Sequence, residues 1–181
     1  AGIGQADSRQ FGIDKNKPEK QQRNQTGSPI LEEGDILLNT TLAETSDWQQ
    51  VDLSVVSTLR HFCIETLSSY TEDNQACISE VDLLDDKGQP IDKTKWEVVY
   101  VSSEQADKNL GVAENLFDGD ISSFWHTDPA TEPGQPHRII VDIKEIYKIS
   151  ALRFKVRKGA FLSGKVKEIN VYGRPQFFLF H

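Results

Sequence analysis

The sequence of 181 residues predicts an all-β protein, an antiparallel β-sandwich of the jelly-roll type. From residue 36 onward, short runs rich in β-branched and aromatic residues recur with turn residues between them. Two of these runs, 60–64 and 151–157, alternate polar and apolar residues, which is typical of a strand with one buried face. Apolar spacing of the helical kind extends for about one turn within 104–117 and is not evident elsewhere.

The strands are predicted in chain order between clear turn signals such as Asp86-Lys87-Gly88 and Pro133-Gly134. The predicted strands are 35–38, 49–53, 58–67, 76–84, 96–101, 138–142, 149–156 and 165–171. Residues 1–34 are polar and show no strand or helix period, so we expect a flexible linker or N-terminal arm there. The sandwich is therefore expected over 35–181.

Charge and composition exclude several classes of function. The net charge is −8 and the pI is near 5.0, which disfavours nucleic acid and anionic membrane surfaces and suits neutral ligands or cations. No run of apolar residues is long enough to span a bilayer. The chain begins at Ala1 and contains no Met, so we expect a piece of a longer protein whose targeting signal has been removed.

Two cysteines, Cys63 and Cys77, are too few for a disulfide framework and lack the spacing of a zinc site. Two buried thiols and a single bridge are both compatible with the sequence.

The segment most informative about chemistry is Asp118-Gly119-Asp120 with the serines that follow it. This turn collects carboxylate, carbonyl and hydroxyl oxygens, which are the hard donors that calcium prefers. Taken alone, an Asx turn with solvated acids would explain the same residues.

The wider context of this turn resembles a known family. Residues 116–127, followed by 136–143 and 148–154, resemble the front half of discoidin or coagulation factor 5/8 type C domains. They are most similar to the family 32 carbohydrate-binding modules, which have the galactose-binding-domain-like fold. Residues 96–104 resemble the opening strand of such domains, and 165–172 resemble a strand from the middle of the domain.

Residues 47–51, 59–67 and 76–84 resemble the back half of such a domain. In this chain they come before the segments that resemble the front half. Either the chain is one circularly permuted sandwich, or it holds the end of one domain and the start of another. We favour permutation, because half a sandwich would leave apolar strand edges unpaired.

The resemblance implies a calcium site with a structural role. Its ligands would be Asp118, Asp120, Ser123 and Glu80. Ser123 stands where threonine is more usual and keeps the hydroxyl. Because Glu80 comes from the other half of the chain, the ion would join the two halves.

The resemblance also implies a site for a carbohydrate. Its candidate residues are His126, Arg157, Ser163, Tyr70, Phe161 and Glu104. His126 and Arg157 match the pattern of galactose-binding members, whereas Ser163 replaces an asparagine and Pro129 replaces an aromatic residue. Tyr70 or Phe161 would then stack on the sugar, and Glu104 would lie at the rim. Ordinary structural roles also fit three of these residues, namely loop capping for His126 and solvent exposure for Arg157 and Glu104.

The predicted function is non-catalytic carbohydrate binding by a monomeric module of a secreted or cell-surface glycan-active protein, with the periplasm as an alternative location. We expect no enzyme activity, because no nucleophile elbow, zinc-protease motif or phosphate loop is present. The alternatives are a protein- or phospholipid-binding adhesion module of the same fold and a structural spacer between domains.

Overall fold

The computed structural model describes residues 27–71, 73–131, 134–157 and 164–181, and it confirms the predicted all-β sandwich. The described residues form antiparallel strands and three short 3-10 helices, and none of them lies in an α-helix. The strands are β1 Ile36–Thr41, β2 Gln49–Thr66, β3 Cys77–Ile78, β4 Glu80–Asp85, β5 Glu97–Val101, β6 Trp125–His126, β7 His137–Lys155 and β8 Glu168–Arg174. The 3-10 helices are Glu33–Asp35, Asp107–Asn109 and Ala113–Phe117.

Strands from both halves of the chain alternate in one sheet. The order is β1-β8-β2-β7-β4, with β5 also paired to β7, while β3 and β6 form a separate pair. Residues 35–92 and 93–181 therefore interleave, which is the arrangement that a permuted domain requires.

Two strands are longer than the sequence predicts. The runs 49–53 and 58–67 are joined in β2, and the runs 138–142 and 149–156 are joined in β7. The segments between them are irregularities within the strands, because β2 shifts register after Asp52 and Lys144 of β7 has a φ of 74°. The first part of β7 pairs with β5 and the second with β4. Each long strand thus contributes to both ends of the sandwich.

The core is continuous across the two halves of the chain. Phe62 from β2 and Phe154 from β7 are fully buried in it, as is Trp125 from β6. Burying such large aromatic side chains supplies much of the hydrophobic stabilisation of a small domain. Trp96 is also buried, whereas Trp48 is 40% exposed.

Both cysteines are free thiols and both are buried, which settles the choice between thiols and a bridge. Burial raises the pKa of Cys77 to about 12. Both therefore act as small hydrophobic residues and not as reactive thiols.

At the chain ends, Pro29 pairs with Phe180, and the amide of Ile30 donates to the carbonyl of Leu179 at 2.7 Å. Most of the predicted arm, 1–26, lies outside the described residues. Within the part that the structure describes, no helix is long and apolar enough to cross a membrane.

Candidate functional site

The acidic turn after the third 3-10 helix folds around the carboxylate of Asp118. Gly119 adopts a φ of +78°, a conformation that glycine takes without strain. Asp118 Oδ1 accepts the amide of Asp120 at 2.9 Å, and Oδ2 accepts the Ser123 hydroxyl at 2.5 Å. The Asp120 carboxylate instead accepts the amide and hydroxyl of Ser122, at 2.9 and 2.6 Å. The backbone carbonyl of Asp120 lies 3.0 Å from Ser123 Oγ.

Glu80 of β4 reaches this turn from the opposite half of the chain. The amide of Gly119 donates to Glu80 Oε2 at 3.1 Å, and the Lys93 ammonium forms an ion pair with the same oxygen. Glu80 is 1% exposed, and its Oε1 has no hydrogen-bond partner. Burial raises the pKa of Glu80 to about 8 and raises the pKa of Asp118. Burial thus disfavours the ionised forms of both carboxyl groups, and a positive charge next to them stabilises those forms.

Charge continues from Glu80 along the sheet. Lys93 also pairs with Asp82 at 2.5 Å, and Arg153 of β7 pairs with the other oxygen of Asp82 at 2.9 Å. We call Glu80, Asp82, Lys93, Asp118 and Arg153 the Glu80 cluster. Each of its charges lies beside a charge of the opposite sign or a hydrogen-bond donor.

The predicted metal ligands can be tested for fit to calcium. The fold brings Glu80, Asp118 and Ser123 together, while Asp120 turns its carboxylate to Ser122 and offers its carbonyl. Among the described residues, no group of three or more His, Cys, Asp or Glu side chains has the arrangement to hold a metal. A cation here would be held by two carboxylates with carbonyl and hydroxyl oxygens. That donor set and the unpartnered Glu80 Oε1 fit calcium chemistry, with the Lys93 ammonium as a competitor.

His126 is the most buried of the described candidate carbohydrate ligands. It is 3% exposed, and β6 places it opposite Cys77. Its Nδ1 lies 2.5 Å from the carbonyl of Thr127, and because a carbonyl can only accept, Nδ1 carries the proton. Gly111 packs against the Cβ and backbone of His126, since a Cβ at position 111 would lie 2.9 Å from the His126 Cβ. Burial lowers the pKa of His126, and nearby Arg157 lowers it further, so the ring is neutral at pH 7.

Arg157 and Tyr70 meet at one opening, which we call the small cavity. Its volume is about 160 Å³, and it is lined by 43–46, Tyr70, 156–157 and 165–166. The Arg157 guanidinium lies 4.1 Å from the centroid of the buried Phe124 ring, a cation–π contact that holds it in place. Tyr70 donates its hydroxyl to the carbonyl of Leu42 at 2.7 Å.

Glu104 lies at a different opening, which we call the large cavity. This cavity has a volume of about 430 Å³ and is lined by 104–107 and 128–130, so it includes Pro129. The Glu104 carboxylate accepts the amide of Ala113 at 2.8 Å.

The six predicted carbohydrate-binding residues are therefore not all at one opening. Tyr70 and Arg157 line the small cavity and Glu104 lines the large one. His126 lines neither opening, but its backbone carbonyl accepts the amide of Gln105, a lining residue of the large cavity, at 2.8 Å. Ser163 and Phe161 lie outside the described residues.

Three residues at these sites were missed by the sequence analysis. Glu44 and Lys165 line the small cavity, and Lys93 contacts the Glu80 carboxylate. Lys165 lies in a predicted strand, so its alternation with buried Val166 was a usable signal. Glu44 and Lys93 come from connections whose positions only the strand pairing determines.

Comparison with known proteins found a family and a relative that match part of this chain. The family model for the F5/8 type C domain matches residues 98–176, which confirms the resemblance predicted from the sequence over that segment. A sialidase of Micromonospora viridifaciens is 33% identical over 84 residues, 45% of this chain. The chain covers 13% of the length of that sialidase.

Proposed function

We propose that this chain is a non-catalytic carbohydrate-binding module of an extracellular or cell-surface protein. The observation that carries the proposal is the small cavity, where the aromatic Tyr70 and the cation Arg157 line one opening. A sugar offers hydroxyl groups to charged donors and a C–H face to an aromatic ring, so this pair suits it. The match of 98–176 to the F5/8 type C domain supports the same conclusion.

We also propose that residues 35–181 are one circularly permuted, monomeric domain with a structural calcium ion at Asp118 and Glu80. The interleaving of strands from the two halves supports the permutation. The hard oxygen donors and the unpartnered, buried Glu80 Oε1 support the ion. Bound there, calcium would supply positive charge between the two halves. Glu80 and Asp118 would then hold the acidic turn against β4.

The module would serve a larger glycan-active protein without catalysing a reaction itself. The similarity to a sialidase covers 13% of that enzyme, which fits an appended module better than a catalytic unit. A glycosidase also needs two carboxylates flanking the scissile bond with separated pKa values. At the small cavity the lining contains a single carboxylate, Glu44, among the described residues.

A glycan array tests the proposal. The wild-type chain is expected to bind a defined set of glycans on the array. Arg157→Ala is expected to abolish this binding, because it removes a charged hydrogen-bond donor and the guanidinium that covers the Phe124 ring. Lys148→Ala, an exposed lysine of β7 away from the cavity, is the matched control and should bind as wild type does. Unchanged retention by Arg157→Ala would contradict the site assignment. His126→Ala is a less informative variant, because removing a buried ring also disturbs packing, and a loss of binding could then come from a loss of folding.

A phospholipid-binding module of the same fold is the second candidate. The irregular part of β2 exposes two aliphatic side chains, Val55 at 69% and Val56 at 50%, which an interface could bury. Sedimentation with phosphatidylserine vesicles distinguishes the candidates. Capture by vesicles without retention of any glycan would favour the membrane function.

A further inference from the structure

The small cavity has a positively charged lining in a protein whose net charge is −8. Arg157 and Lys165 line the opening itself. Lys155 donates to the carbonyl of Ser46, a lining residue, at 2.6 Å. The Lys167 ammonium lies 5.5 Å from the centroid of the Tyr70 ring. A carbonyl and an aromatic ring do not neutralise an ammonium, so both lysines keep their positive charge beside lining residues of the cavity.

This concentration of cations follows from the β-strand period. Leu152 and Phe154 at the end of β7 and Val156 directly after it are buried in the core. Lys155, between Phe154 and Val156, therefore lies on the outer side of the sheet, and Arg157 follows Val156 just beyond the strand. Lys165 and Lys167 alternate in the same way around the buried Val166. Two segments with outward cations thus meet at one opening.

Two carboxylates near the cavity offset this charge only in part. Glu44 lies 3.7 Å from Lys165, but its side chain is 55% exposed, and exposed ion pairs are weak and easily exchanged. Asp73 accepts hydrogen bonds from the amides of Gln75 and Gly164, both at 3.1 Å. Burial alone would raise the pKa of Asp73, but these and neighbouring hydrogen bonds outweigh it and lower the pKa. Its carboxylate is thus held inside the loop.

We infer that the small cavity binds a sugar residue that carries a negative charge, as a carboxylate or a sulfate ester. The inference rests on the proposed carbohydrate function and specifies its ligand. A guanidinium and ammonium groups around one opening form charge-assisted hydrogen bonds with such an anion, which are stronger than those to a neutral hydroxyl. The anion would take the place of Glu44 beside Lys165. At about 160 Å³ the cavity is smaller than the sites of drug-sized ligands, so it suits a single sugar residue.

Affinity gel electrophoresis of the full chain tests this inference with defined polymers. Polygalacturonate supplies carboxylates, dextran sulfate supplies sulfates, and dextran and galactan are neutral. Migration of the wild type should be retarded by one or both acidic polymers, with an apparent affinity about tenfold higher than for the neutral ones. The carboxylate and sulfate gels distinguish the two forms of the anion.

Three variants place the interaction in the small cavity. Lys165→Gln should weaken retardation by the acidic polymer about tenfold. Glu44→Gln should strengthen it a few-fold, because it removes the competing carboxylate. Lys148→Gln, which removes an exposed lysine elsewhere on β7, should behave as wild type. Thermal unfolding of each variant verifies that it is folded, and the opposite signs expected for the first two cannot both arise from misfolding.

The outcomes separate this inference from the function on which it rests. Retardation by a neutral polymer with no preference for the acidic ones would overturn the negative charge of the ligand and leave carbohydrate binding intact. A preference for acidic polymers that falls equally in Lys165→Gln and Lys148→Gln would overturn the cavity as the site. If no polymer retards the chain, the carbohydrate function fails as well. Capture by phosphatidylserine vesicles alone would then favour the membrane candidate.

Discussion

The Glu80 cluster and the small cavity use the same kinds of side chain for different purposes. In the cluster, Glu80 is 1% exposed, and carboxylates and cations alternate at hydrogen-bonding distance. In the cavity, cations outnumber carboxylates, and the Glu44 side chain is 55% exposed. Buried charges that pair with each other hold elements of the fold in place, whereas an open excess of one sign can still pair with a ligand. We therefore assign a stabilising role to the Glu80 cluster and propose a recognition role for the small cavity.

The largest expected effect is on the Glu80 cluster. Glu80→Gln should lower the free energy of unfolding by about 3 kcal/mol, because it removes the buried negative charge that Lys93 and the amide of Gly119 share and leaves Asp82 as the remaining carboxylate beside Lys93. Urea unfolding measures the change. Asp86→Asn, at an exposed turn position close to β4, is the matched control and should stay within about 0.5 kcal/mol of wild type. Equal stability of the two variants would contradict the role given to the cluster.

Calcium should act on the same region by a comparable amount. If the ion binds between Glu80 and Asp118, calcium at 100 times its dissociation constant should add about 2.7 kcal/mol to the free energy of unfolding. Thermal unfolding with calcium and then with a chelator measures this. Lys93→Met should strengthen the response, since the ammonium competes for Glu80, and Glu80→Gln should abolish it. Indifference of the wild type to the chelator would remove calcium from the proposal.

Protonation of His126 should destabilise the protein at moderately low pH. Burial lowers the pKa of His126 in the folded protein below the value of about 6.5 expected when it is unfolded. The stability that the neutral ring contributes is therefore present above about pH 6.5 and is lost as the pH falls through the folded-state pKa.

Urea unfolding at pH 7.5 and 5.5 measures this loss. His126→Asn keeps an amide that can take the place of Nδ1–H but does not titrate, so its loss between the two pH values should be about 1 kcal/mol smaller. The buried His61 and His137, whose pKa values burial also lowers, still contribute in both proteins. Equal losses in the wild type and the variant would show that His126 does not titrate differently on folding.

The smallest expected effect on stability is at the small cavity. Lys165→Gln and Glu44→Gln should each change the free energy of unfolding by less than about 0.5 kcal/mol, because one partner of this pair is largely solvated. The same variants are expected to change ligand binding in opposite directions. A loss of stability as large as that of Glu80→Gln would remove the contrast between the two regions.

Local sequence correctly predicted which face of a strand is buried, but it did not predict where the strands begin and end. Alternation in 151–157 correctly identified the buried side of β7, since the pleat fixes which residues face the core. The interruptions in β2 and β7 contain polar residues and were interpreted as connections. Pairing of β2 with β7 on both sides of each interruption keeps the strands continuous. The predicted strand 76–84, in contrast, is interrupted at Ser79 and forms two strands, β3 and β4.

Local sequence also predicted one part of the candidate site, the acidic turn, but not the residues that meet through strand pairing. The acidic turn is local, so the sequence predicted that Asp118 and Ser123 lie together, and the resemblance added Glu80 from a distant strand. Their role as calcium ligands stays a prediction. Trp48 is 40% exposed, and the centroid of its ring lies 5.5 Å from the Arg153 guanidinium. That position depends on the register of β2 against β7, which no local pattern specifies.

The sequence by itself determined the all-β class, the buried faces of the strands and the acidic turn, because these depend on residue type and short-range spacing. Tertiary structure alone decided that Glu44, Tyr70, Arg157 and Lys165 share one opening and that Lys93 reaches Glu80. Those groups are far apart in the chain, and they meet because strands of the two halves interleave in one sheet. Charge balance within each region is therefore a property of the fold and cannot be read from the net charge of the chain.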